Sequence, residues 1–288
     1  MFTAVRNGAD DPSRDGKPVL SLPETNTVLI KLLTLAYPAQ SARSFAIGLA
    51  DLDIFVDIYQ AAHKYQFGFV QWLLAEMLES PVLLDAHPHR LFAIARVCGL
   101  PDLARKAALR TLASPIIPAP PAFPEMCLLT WADAHRLYEF HAFCGTNAHR
   151  IITHNAAKHG NGMFVVGAGG TAPLFGFFPR RIQNTKTHEL LVWHNHTTNC
   201  RQDASTSSPA WFTDHMKAVA AKVLLVPSHH VVTAALLDVA PAPRSIRESC
   251  RVCSINADRD LTDFAHQLAA DIERAESLLA ENMFKDGS

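Results

Sequence analysis

The sequence predicts a mainly α-helical protein with a small strand remnant near its N-terminus. Three observations carry that expectation. Apolar residues recur at helical spacing through nearly all of Leu52–Leu112. Prolines fall where helical stripes begin or end, as at Pro38 and Pro101. Of the 288 residues, 49% are hydrophobic and only 18% charged, a balance that suits a packed core.

In chain order, residues 1–14 read as polar and mobile. Asp15-Gly16 is a turn signal, and Pro18–Leu22 forms one short expected strand. Val28, Leu29, Leu32, Leu33 and Ala36 mark a helix over Val28–Tyr37, stopped by Pro38, and Gln40–Ala50 reads as a loop. Four amphipathic helices follow. The first carries Leu52, Phe55, Val56, Tyr59 and Ala62, and the second Val70, Leu73, Leu74, Met77 and Leu78. Leu91, Ile94, Ala95 and Cys98 define the third, and Pro101 opens a fourth through Leu103, Ala107 and Leu112. Each stripe is wide, so each helix needs a neighbour to cover it.

Ser114–Pro124 is a proline-rich breaker. Thr130-Trp131-Ala132-Asp133 then fits an N-cap with an acid three residues on. It starts a helix with Trp131, Ala134, Leu137, Tyr138 and His141 expected on one face. Residues 151–187, which contain glycines, histidines and the run Gly167–Thr171, read as an irregular linker or insertion. Ser208-Pro209 opens a helix whose buried stripe is Trp211, Phe212, His215, Val219, Ala220 and Val223. Val231–Leu237 is a further short helix and Ala240–Arg244 a proline-containing loop. Leu261, Phe264, Ala265, Leu268, Ile272, Ala275 and Leu279 trace the last amphipathic helix. No internal repeat is present.

Parts of this pattern resemble a known family. Asp15–Leu20, Leu32–Pro38 and Ala61-Ala62-His63-Lys64-Tyr65-Gln66 are similar to the second half of a BTB/POZ domain. Arg90–Ala95, Asp102–Ala108 and the Trp131–Cys144 helix resemble the helical extension of fungal, basidiomycete-type BTB proteins. The resemblance implies four regions. A truncated BTB/POZ-like α/β remnant (1–79) is followed by a helical extension (80–150), a flexible linker or insertion (151–187) and a helical C-terminal region (188–288). It implies protein–protein contact rather than catalysis. The strands and helices that build much of the family's dimer interface are missing ahead of Val28, so the chain reads as truncated. Homo-oligomerisation and docking to cullin-type ubiquitin ligases are weakened accordingly, and apolar surface is expected where the lost strands would pack.

Charge and cysteine usage narrow the function classes. A formal net charge of −1 gives no electrostatic footprint for nucleic acid. No apolar run reaches the roughly 18 residues of a membrane span, and the start lacks the apolar core of a secretory signal. Six cysteines in a chain this long do not suggest a disulfide scaffold, which points to an intracellular, reducing compartment, nucleus or cytoplasm.

One constellation stands out as a metal site. Trp193-His194-Asn195-His196-Thr197-Thr198-Asn199-Cys200 lies upstream of Cys250-Arg251-Val252-Cys253. A Cys-x-x-Cys turn can present two thiolates to one zinc, and His196 and Cys200, four apart, can complete a tetrahedral cage. His194 competes for the fourth position. The similar fungal proteins carry a Cys-x-x-Cys pair after the tryptophan and another before the final helix, so His196 and Cys200 depart from that pattern in ligand and spacing. A full cage would be structural zinc, clipping the linker to the last helix. The competing reading is a set of ordinary reduced thiols among fifteen histidines. A redox pair lacks its usual strand–helix surroundings.

The other motifs read as structural. Gly167-Ala168-Gly169-Gly170-Thr171 lacks the order of a phosphate-binding loop, and no Gly-x-Ser-x-Gly element exists. His149, His154 and His159, five apart, read as solvated loop residues, and His63 and His135 as partly exposed or hydrogen-bonded. Cys98, Cys127 and Cys144 read as inert core thiols. Tyr59, Tyr65, Phe67, Phe69 and Trp72 are expected mostly in the core, becoming an interaction face if Phe67–Trp72 is uncovered. The function expected is a non-enzymatic protein–protein interaction module, a scaffold or adaptor with protein partners, no membrane and no direct nucleic-acid contact. The alternative is a zinc-stabilised nuclear regulatory protein acting in a larger complex.

Overall fold

Helices account for nearly all regular structure in the computed structural model, which describes residues 13–14, 17–19, 21–37, 52–117, 122–157 and 210–284. The chain divides into two units, Met1–Met77 and Leu78–Ser288. The described residues are mainly helical, as their apolar periodicity predicts.

In the first unit, strand β1 (Ser13–Arg14) pairs antiparallel with β2 (Lys17–Pro18), Ser13 opposite Pro18. The expected strand over Pro18–Leu22 is thus displaced towards the N-terminus. Among the described residues this two-residue ladder is all the sheet there is. Helix α1 (Asn26–Ala36) starts at Thr25, whose hydroxyl accepts from the Val28 amide at 3.4 Å. It buries Val28, Leu32 and Leu35 and packs on α2 (Phe55–Lys64), whose own buried residues are Phe55, Val56, Ile58, Ala61 and Ala62.

A polar clamp ties the entry of α1 to the end of α2. Lys64 Nζ donates to Glu24 Oε1 at 2.6 Å, and Tyr65 Oη donates to Oε2 at 2.6 Å. Hydrogen bonds from Lys64 and then Tyr65 hold the Glu24 carboxyl below the usual carboxylate range. Helix α2 ends with Gln66 at φ 62°, while Phe67 N–H donates to Ala62 O at 2.8 Å and Gln66 N–H to His63 O at 3.1 Å. That bond pair is a Schellman stop with a non-glycine residue in the left-handed position. Helix α3 (Gly68–Leu78) follows.

The second unit opens with α4 (Pro81–Ala86), α5 (Pro88–Cys98) and α6 (Pro101–Thr111), each with proline in its first turn, where no amide is needed. Helices α5 and α6 pack closely because their facing residues are small: Ala93, Ala95, Ala104, Ala107 and Ala108 are fully buried. Helix α5 stops on Gly99 (φ 67°), with Leu100 N–H bonded to Ala95 O at 2.8 Å. After a 3-10 turn at Pro124–Cys127 comes α7 (Trp131–Ala157), set by the expected capping box. The Asp133 amide donates to Thr130 Oγ1 at 3.1 Å, and that hydroxyl donates to Asp133 Oδ2 at 2.6 Å.

The residues expected on one face of α7 do not share one environment. Leu137, Phe140, His141, Cys144, Ala148 and Ile152 are inside, whereas Trp131 and Tyr138 are exposed. The helix also runs on to Ala157, which places His149 and His154 on a helix rather than in a loop and carries regular structure into the region read as linker. The remaining residues of that region, 158–187, lie outside the described residues, as do His159, Gly167–Thr171, Asp15-Gly16 and residues 40–50.

Helices α8 (Ala210–Val223), α9 (His229–Leu237), α10 (Pro241–Ser249) and α11 (Arg251–Met283) complete the unit. The predicted stripe of α8 is buried throughout, as is that of α11. Helix α10 replaces the expected proline loop. Pro241 and Pro243 lie in its first turn, where a missing amide breaks no intrahelical bond. The core joins α7, α8, α9 and α11, with Phe212 edge-on to Trp211 and Phe264 at centroid separations of 5.8 and 5.5 Å. Phe284, just past α11, meets Phe92 and Phe140 edge-on at 5.5 and 5.3 Å. Gly145 is required by close approach: a Cβ there would lie 2.9 Å from the backbone oxygen of Leu224.

Candidate functional site

The Cys-x-x-Cys pair falls at the start of the longest helix rather than on a separate short turn. Cys250 is the N-cap of α11, in extended conformation, and Cys253 sits within its first turn. Both are buried, at 0% and 1% exposure, and the Trp211 indole N–H donates to Cys253 Sγ at 3.4 Å. Residues at the N-cap and the third helical position project to the same helix end, so the fold brings these two thiols into one neighbourhood. The other two ligands in the expected set, His196 and Cys200, and their competitor His194, lie outside the described residues. Among the described residues, no three of the His, Cys, Asp and Glu side chains are grouped to hold a metal ion.

Of the remaining thiols, Cys144 is buried and held well above its ordinary value, first by burial and then by the nearby Glu276 charge. Burial pushes the partly exposed Cys98 up to about 12. Cys127 departs from expectation: it is exposed, with its Sγ donating to Pro124 O at 3.0 Å. The 3-10 turn carries its side chain outward.

Several charged and titratable groups lie inside the second unit. Arg90 on α5 makes a two-pronged pair with Glu125, Nε to Oε2 at 2.9 Å and Nη2 to Oε1 at 2.8 Å, with both residues buried. On α6 the Thr111 hydroxyl donates to Ala108 O at 2.6 Å, which uses its only proton. The 2.8 Å contact between Thr111 Oγ1 and His141 Nε2 therefore has the imidazole as donor. That assigns the proton to Nε2 and leaves His141 Nδ1 as a buried acceptor, without a hydrogen-bond partner among the described residues. Burial, with a smaller contribution from nearby His89, lowers His141 to about 4. His215 Nε2 meets Leu236 O at 2.7 Å, and burial depresses its basicity as well. These neutral imidazoles act as packed hydrogen-bonding parts of the core.

The outer surface is the more informative. On α1 and at its C-cap, Ile30, Leu33 and Tyr37 are 64%, 45% and 67% exposed, and their spacing places them along one side of the helix. On α3, Phe69 and Trp72 are 64% and 57% exposed with ring centroids 5.8 Å apart. Tyr59, Tyr65 and Phe67 are half-buried, so the core expectation fails for Phe69 and Trp72. In the second unit Trp131 stacks on His135 at 6.3 Å beside exposed Tyr138. The α1 face was missed in the sequence, although its signal is there. Ile30, Leu33 and Tyr37 repeat opposite the buried stripe, so apolar residues occupy two opposed faces with Thr27, Lys31 and Thr34 along one side between them.

No helix among the described residues is long and apolar enough to cross a membrane. Compared with protein-family models, with curated proteins and with solved structures, the chain matches none.

Proposed function

We propose that this chain is a non-enzymatic protein–protein interaction module, a scaffold or adaptor of the BTB/POZ-like kind that its sequence resembles. The supporting observation is the apolar surface of the first unit: Ile30 and Leu33 on α1 with Tyr37 at its C-cap, and the paired rings of Phe69 and Trp72 on α3. Large apolar side chains gathered on one helix face are costly in water and gain free energy when a partner covers them. The reading places the protein inside the cell, with a protein partner or a second copy of itself seated on these faces.

The test is affinity capture from native extract, with wild type beside a Leu33→Glu, Trp72→Glu double variant, and sedimentation velocity on both for self-association. A stable partner or dimer with wild type, lost in a variant whose circular dichroism and unfolding midpoint are unchanged, is the expected result. Retention by the variant, or no association of the wild type across salt conditions, overturns the proposal.

A second reading, a zinc-stabilised nuclear regulatory protein in a larger complex, is favoured by the two thiols placed together at the head of α11. It requires His196 or His194 and Cys200 to supply the remaining ligands. Metal analysis should then return about one zinc per chain, lost in both Cys250→Ser and Cys253→Ser.

A further inference from the structure

We propose that His229 and Glu276 form a proton-dependent clasp that holds the first turn of α9 onto α11 in mildly acid solution and slackens as the solution becomes basic. His229 is the first residue of α9, and its Nδ1 lies 3.2 Å from Glu276 Oε2. Its other nitrogen, Nε2, lies 3.9 Å from Glu273 Oε1, so the ring sits between two carboxylates one turn apart on α11. Glu276 is 4% exposed, and its Oε1 has no hydrogen-bond partner among the described residues. A carboxylate in that position is poorly solvated and half satisfied.

The groups around the clasp are few. Glu273 and Glu276 face it from α11, Cys144 lies close to Glu276 from α7, and Arg110 near the end of α6 acts on the imidazole. His230, next on α9, lies against the His229 ring at a centroid distance of 4.0 Å. An imidazolium at a helix N-terminus is disfavoured by the peptide dipoles, so the two carboxylates must outweigh that cost. With a proton on the pair, the cation is bracketed by carboxylates or the buried acid is neutral. Without it, the bare Nε2 lone pair faces the exposed Glu273, and the buried Glu276 carries its charge with one oxygen unsatisfied.

Both partners shift in the same direction. The hydrogen bond to Glu276 raises His229 above its ordinary value, and burial raises Glu276 above the usual carboxylate range. A folded-state value raised above the unfolded one gives stability that is fully present below the unfolded value. That stability is lost as pH rises through the raised one. The two contributions therefore fade together, the carboxyl beginning above about 4.5 and the imidazole above about 6.5, and the pair titrates as a unit.

The reporter is the Val232 amide, which closes the first turn of α9 by donating to Ser228 O at 3.0 Å. Hydrogen exchange on the full chain, as protection factors from pH 6 to pH 8.5, should show Val232 losing about tenfold protection, while Leu268 in the middle of α11 stays level. Glu276→Gln should abolish the dependence. NMR titration of the wild-type His229 ring, which needs no variant, should place its midpoint above the roughly 6.5 of a free imidazole. A flat Val232 profile in wild type, an unchanged slope in Glu276→Gln, or a His229 midpoint at or below that of a free imidazole overturns the proposal.

Discussion

Helices α1 and α8 have similarly apolar sequences, yet they are used differently. Helix α8 puts Trp211, Phe212, Met216, Val219, Ala220 and Val223 inside, because α7, α9 and α10 cover it from several sides. Helix α1 buries Val28, Leu32 and Leu35 against α2 and leaves Ile30, Leu33 and Tyr37 in water. Apolar content is thus not what decides burial; the number of neighbouring elements is. Where neighbours are plentiful, even charge goes inside, as with Arg90–Glu125. Where they are few, hydrophobic area remains as a surface that another molecule can use.

The largest expected effect tests that contrast directly. Phe212→Ala removes a ring packed edge-on between Trp211 and Phe264, and should cost about 3–5 kcal/mol in denaturant unfolding. Ile30→Ser, at a similarly apolar position on α1, should change the stability of the isolated chain by no more than about 0.5 kcal/mol. Comparable losses at both sites would mean that α1 is covered after all.

A smaller effect sharpens the same comparison through pH. His141 titrates near 6.5 when unfolded and is held to about 4 when folded, chiefly by burial. A depressed imidazole stabilises the fold above its unfolded value. That contribution, on the order of 3 kcal/mol, drains away as pH falls from about 6.5 to 4. Hydrogen exchange at pH 7 and pH 4.5 should show the loss in α7 and α6, and His141→Gln should reduce it. Helices α1 and α2, whose His63 is exposed, should not share it. This acid arm is opposite in sign to the His229–Glu276 clasp, so the second unit is expected to be most stable between the two.

The smallest pair concerns two chain reversals of identical design. Gly99 and Gln66 both occupy the left-handed position of a Schellman stop, at φ 67° and 62°. Gly99→Ala should destabilise by about 1 kcal/mol, and Gln66→Gly should stabilise by about 1 kcal/mol. Thermal unfolding reads both. A loss on Gln66→Gly would show that the glutamine side chain compensates its backbone strain.

Much of the helical framework was legible from the residues. The stripes of α2, α5, α6, α8 and α11 repeat at the helical period, and the capping box at Thr130–Asp133 announces the start of α7. Each of these signals is local, carried by residues within a few turns of one another. The errors share a cause as well. Pro241 and Pro243 were read as breakers because proline removes a donor, but only position within a helix determines whether that donor is missed. Trp131 and Tyr138 share by spacing a face with Leu137 and His141, and spacing does not say how much of that face is covered: the first two are exposed and the other two buried.

The candidate sites follow the same division. Cys-x-x-Cys is visible in the chain, whereas its placement at the head of α11 beneath Trp211 is not, since Trp211 and Cys253 are brought together only by packing. His229 and Glu276 are ordinary surface residue types in the sequence, and the docking of α9 on α11 sets a half-buried imidazole against a buried carboxylate. What the sequence by itself determined is therefore where helices form and which residues stand in line along them, because backbone periodicity and capping act over short distances. Tertiary structure alone decided which line meets water, which imidazole keeps its proton and which carboxylate is left half satisfied. Burial and desolvation depend on elements far apart in the chain.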